Sequence, residues 1–166
     1  MSLSKFFTAS ALFASTLSMG QSNTERIQAL IQGQYDILDR ATVKNNFADI
    51  KTAYTTVVTP DFKYILTSGQ IFKFEPLLQQ LELQTKATKK VDQAITKIAG
   101  ITIKGNTATI KASSLYQAQY IGQDRKIHVL KTATTSEDTW LLQEGKWRFK
   151  SILIFGEKRL IDGKRV

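Results

Sequence analysis

The chain has no cysteine, which excludes disulfides, thiolate-bound metals and thiol catalysis. It has one histidine, His128, and a lone imidazole cannot build a histidine-based metal cluster, which needs several convergent ligands. Only two prolines and nine glycines occur in 166 residues, so no flexible linker, disordered class or fibrous class is indicated. Acids are scarce beside bases: 14 Asp and Glu stand against 23 Lys and Arg, a net charge of +9. That excess favours anionic partners such as acidic lipid or polysaccharide. Glycine-rich phosphate loops, a nucleophile elbow and a placeable Ser-His-Asp set are all missing. Nucleic acid is not expected as a partner, because Trp147 and Phe149 alternate away from Lys146, Arg148 and Lys150, whereas base stacking needs aromatics among the cations.

What is present begins with "MSLSKFFTASALFASTLSMG", residues 1–20. Lys5 precedes an apolar run, Phe6 to Met19, that is too short to span a bilayer, and small residues follow at Ser18 and Gly20. This is the pattern of a secretory signal peptide cleaved near Gln21. The expectation is a bacterial periplasmic or secreted protein with one domain, 21–166, and no membrane anchor after signal removal.

Ser22 and Glu25 form a capping-box pair, and Ile27, Leu30, Ile31, Tyr35, Leu38 and Ala41 recur at helical spacing, predicting a helix over 23–43. Asn45 or Asn46 caps a second helix carrying Phe47, Ile50, Tyr54, Val57 and Val58, which Pro60 stops. A short strand is expected from Asp61 to Leu66, with Asp61 anchoring its start, and a third helix from Phe72, with Pro76 in its first turn. After Lys90 the period becomes two. The alternation breaks at Ala99–Gly100, suggesting a bulge, and Gly105–Asn106 makes a tight turn. Ala108, Ile110, Ala112, Ser114, Tyr116, Ala118 and Tyr120 share one face of the next strand. A strand from Ile127 to Leu142 is expected to bend at Thr134–Asp138, with Glu137 and Asp138 solvated. In the last long strand Trp147, Phe149, Ser151, Leu153 and Phe155 share a face, with Trp147 packing under the helices. Helices first and long antiparallel strands afterwards indicate the α+β class: N-terminal helices packed on a strongly curved, mostly antiparallel sheet.

This order of elements resembles the nuclear transport factor 2-like superfamily, the cystatin-like cone of the SnoaL-like proteins, over about residues 24 to 156. The residues that carry the likeness are Tyr35 and Ala41, Tyr54, Asp61–Phe62, Thr139–Trp140 and Gly145–Lys146–Trp147. It looks closest to secreted bacterial members of unassigned function. The resemblance implies a cone with a pocket at its open end and a homodimer through the sheet. Ketosteroid-isomerase-like members would need a carboxylate base on the strand after helix two, facing a Tyr and a protonated Asp across an apolar pocket. That strand offers Asp61 only at its start, followed by Lys63, Tyr64, Ile65 and Leu66. Scytalone-dehydratase-like members use more than one His.

No catalytic residue, metal or cofactor is therefore assigned. The expected pocket residues are Tyr35, Tyr64, Tyr116, Tyr120, His128 and Trp140. Each has a competing structural reading: Tyr35 as helix packing with its hydroxyl at the rim, His128 as a surface residue, Trp140 as cone wall or dimer face. The leading expectation is an exported domain that binds a small apolar or aromatic ligand without catalysis, or a dimeric interaction module. One alternative is an isomerase- or dehydratase-like enzyme using Tyr35 or His128 with Asp61. Another is electrostatic association with acidic surfaces.

Overall fold

The computed structural model describes residues 22–166, so the signal-like segment 1–20 lies outside the described residues. Helix α1 (Asn23–Val43) starts on the capping box: the Ser22 hydroxyl accepts from the Glu25 amide at 3.3 Å and Glu25 accepts from the Ser22 amide at 2.7 Å. Asn46 caps α2 (Phe47–Val57) by accepting from the Ala48 and Asp49 amides. Pro60 does not delay the following strand to Asp61 as the sequence suggested. Strand β1 (Val58–Ile65) starts two residues before it, and its pairing is irregular between Val58 and Lys63. An irregular edge tolerates a missing amide proton. A short β2 (Ile71–Lys73) precedes α3 (Phe74–Ala87), whose first turn holds Pro76.

Four long strands follow: β3 (Thr88–Lys104), β4 (Thr107–Ile121), β5 (Ile127–Gln143) and β6 (Lys146–Ile161), with a short β7 (Lys164–Arg165) closing on β6. The sheet runs β2-β1-β6-β5-β4-β3, antiparallel except between β1 and β6. This is the α+β architecture expected, three helices against one curled sheet.

The curl has identifiable causes. Register shifts leave Lys89, Asp92 and Ala99 as extra residues in β3, and Lys150 and Phe155 as extra residues in β6. Each bulge bends its strand and increases the local twist. Between them β4 and β5 pair without a shift from Thr107↔Leu141 to Ile121↔Ile127, so the bend expected within β5 sits in its neighbours. The Lys150 bulge also corrects the expected face of β6. Trp147 and Phe149 are buried, but Ile154 replaces Ser151, Leu153 and Phe155 on the inside, and Leu153 and Phe155 are exposed.

Helix α1 covers the open edge of β3. Gln32 donates to the Thr96 carbonyl at 2.7 Å and accepts from the Ile98 amide at 3.2 Å; two turns on, Asp39 accepts from the Thr96 amide at 2.6 Å. Side chains thus satisfy backbone groups that an edge strand leaves free. The core lies between α1, α2 and the narrow end of the sheet, around Ile31, Val57, Phe62, Ile110, Trp140 and Phe149. The wide end is not filled.

Candidate functional site

Between α1, α3 and the inner face of the sheet lies a cavity of about 610 Å³. Its walls follow from strand parity. Ser114, Tyr116, Ala118 and Tyr120 point inward from β4, Thr132, Thr134 and Asp138 from β5, and Ile152, Ile154 and Arg159 from β6. Helix α1 contributes Tyr35, Leu38 and Asp39, one turn apart along the same face.

Asp138 is the group sequence reasoning missed. It was expected in a solvated bend; it is fully buried, on an unbroken strand, and lines the cavity. Its side chain accepts a hydrogen bond from the Tyr35 hydroxyl, which in turn accepts from the Trp140 indole N–H at 3.1 Å. The other carboxyl oxygen, Oδ1, is buried with no hydrogen-bond partner. Burial pushes the carboxyl up to about 6, against the opposing pull of the Tyr35 hydrogen bond. Burial and the neighbouring Asp138 charge raise the Tyr35 hydroxyl, so it keeps its proton and donates. Trp140 stacks on Phe149 at 4.5 Å, and Tyr35 meets both rings edge-on, at 5.2 and 5.7 Å, which fixes the phenol's direction. Parity carried a signal for Asp138: it stands two residues before Trp140, on the same face of β5.

A second carboxyl, Asp39, is also raised by burial, opposed by its bonds to the amide and hydroxyl of Thr96. Thr96 passes the network to Ser114 at 3.1 Å. Tyr54 and Tyr64 complete the wall, their hydroxyls raised by burial and therefore protonated.

Of the six residues expected to line a pocket, Tyr35, Tyr64, Tyr116 and Tyr120 line this cavity. Trp140 does not: it is fully buried behind Tyr35 and acts through its indole N–H. His128 does not either. Its ring lies 5.6 Å from Tyr120, and its two nitrogens are taken by Asp162 at 2.6 Å and Asp124 at 2.9 Å. Asp61 sits on the outside, paired with the bulged Lys150, whose ammonium holds its carboxyl below the usual range. Tyr35, His128 and Asp61, the side chains named for an enzyme, are therefore not brought together: each is engaged with a different partner. Tyr35 is also not at the rim; it is buried, and its hydroxyl bonds to buried Asp138 and Trp140.

No protein-family model matches the chain, and no curated protein does either. Solved structures do match. A conserved protein from Planctomyces limnophilus has 14% identity and a TM-score of 0.65, over 78% of this chain and 97% of that one. A nuclear transport factor 2-like superfamily protein from Salmonella enterica has 14% identity and a TM-score of 0.60, over 80% and 92%. A nuclear transport factor 2-like protein from Cytophaga hutchinsonii has 11% identity and a TM-score of 0.53, over 81% and 98%. At these identities the likeness shows the fold, the nuclear transport factor 2-like cone.

Proposed function

We propose that the cone binds one small, largely apolar or aromatic molecule and fixes its polar group on Asp138 and Tyr35. The observation that carries this reading is the buried, unpartnered Oδ1 of Asp138, a residue that lines the cavity. A buried polar atom left without a hydrogen bond costs roughly 1–3 kcal/mol, which a ligand's polar group recovers on binding. With its carboxyl titrating near pH 6, Asp138 accepts from a ligand hydroxyl above that pH and donates to a ligand carbonyl below it. Apolar side chains around it, among them Leu38, Ile152 and Ile154, suit the body of such a molecule. The signal-like residues 1–20 support a site of action in the periplasm or outside the cell.

Calorimetric titration with naphthylmethanol, a neutral aromatic alcohol, tests this. One site per chain is expected, and Ser114→Trp, which fills the cavity, abolishes it. Absence of binding to the unmodified chain, or binding that survives the filled cavity, overturns the reading.

A second reading, self-association through the outer face of the sheet, rests on a separate observation. Ile95, Leu115, Leu153 and Phe155 are 38%, 39%, 42% and 59% exposed. Sedimentation velocity is expected to give a dimer that Phe155→Lys converts to monomer; a monomeric unmodified chain sinks this reading and leaves the cavity untouched.

A further inference from the structure

We propose that the molecule the cone accepts is an organic cation, an amine on an aromatic or apolar body, whose nitrogen is held by Asp138 among tyrosine rings. This deepens the binding reading above and rests on it. The charge of the chain and the charge of its cavity have opposite signs. Over the whole sequence 23 basic residues outnumber 14 acidic ones. Among the described residues around the cavity three carboxylates, Asp39, Asp138 and Glu157, face a single basic residue, Arg159. That guanidinium is already engaged, 3.0 Å from Glu157.

The three carboxylates are not equivalent. Asp39 is satisfied by the amide and hydroxyl of Thr96, and Glu157 by Arg159. Asp138 alone retains a buried oxygen with no partner. Its carboxyl loses its proton near pH 6, so at neutral pH that oxygen belongs to a buried anion. A buried charge is tolerated poorly unless paired, and an ammonium supplies both a hydrogen bond and the missing countercharge. An alcohol supplies only the first; a carboxylate supplies neither.

The aromatic inventory points the same way. All five tyrosines of the chain line this cavity. Tyrosine faces attract a cation within about 6 Å of the ring centroid, and a desolvated cation gains most. A purely apolar ligand would be served equally well by Phe, yet among the described residues only Phe149 of six phenylalanines reaches the lining.

The test compares three probes that share one body: naphthylmethylamine, naphthylmethanol and naphthoate, titrated calorimetrically at about pH 7.5, where Asp138 is ionised. The amine is expected to bind at least about tenfold more tightly than the alcohol, and the naphthoate more weakly than both. Asp138→Asn, which keeps an acceptor for Tyr35 but no charge, brings the amine to the level of the alcohol. Tyr64→Leu, which leaves Asp138 in place, weakens the amine more than the alcohol. Equal affinities for amine and alcohol, a preference for naphthoate, or equal losses in Tyr64→Leu overturn the cation proposal while the cone-binding reading stands. Failure of all three probes to bind overturns both.

Discussion

A single carboxyl, Asp138, concentrates the chemistry of this molecule. Its folded-state proton affinity is raised to about 6, so the native state holds a proton that the unfolded chain releases near 4. The sign follows: Asp138 contributes stability that is present below pH 4 and lost as pH rises to 6. A shift of this size amounts to about 3 kcal/mol. In Asp138→Asn that loss is absent, so the variant gains on the parent between pH 4 and 6 in urea denaturation; parallel stability curves would contradict the burial argument. Tyr35→Phe removes the hydroxyl that donates to Asp138 and strands the Trp140 N–H, and is expected to cost roughly 1–3 kcal/mol. His128 is the only imidazole, so its proton resonances titrate alone. Asp162 and Asp124 raise it above its ordinary value. Asp162→Asn should bring the NMR midpoint down, and an unmoved midpoint would mean the pair does not persist in solution. At this scale the sequence was half legible. Helical spacing brought Tyr35 to notice, but Ser-Glu-Asp reads as a turn unless strand parity is weighed above local polarity.

Among the elements, α1 acts as a covering for the β3 edge as well as a core helix. Gln32→Leu deletes both of its edge bonds and is expected to cost about 1–2 kcal/mol and to speed hydrogen exchange at Ile98, whose amide it caps. Unchanged exchange at Ile98 would mean the edge is protected by something else. Helix boundaries were readable because capping chemistry is local: Ser22, Glu25 and Asn46 announce their roles within four residues. Bulges were readable only where glycine marks them. Ala99 beside Gly100 was seen; Lys150, inside a clean alternation, was not, and that bulge turns the side chains from Ser151 to Ile154 to the other face. Leu153 was misplaced for that reason, and Phe155 because it is itself a second bulged residue.

On the scale of the whole molecule, helix-first order and long bulged strands made the cone itself legible, because topology follows from the order of elements. The contents of the cone were not. A cavity depends on which residues of α1, β4, β5 and β6 meet across more than a hundred positions of sequence, as Tyr35 and Asp138 do. The resulting molecule is basic outside and acidic within. The central claim, that small molecules enter this cavity and meet its tyrosine wall, is most directly tested by NMR on the chain with carbon-13-labelled tyrosine and histidine rings during addition of naphthylmethanol. The five tyrosines report on the inside and His128 on the outside. Tyrosine resonances shifting to saturation, with Tyr64 among them and His128 much less affected, is the predicted result. Still tyrosines, or shifts confined to His128, would contradict it.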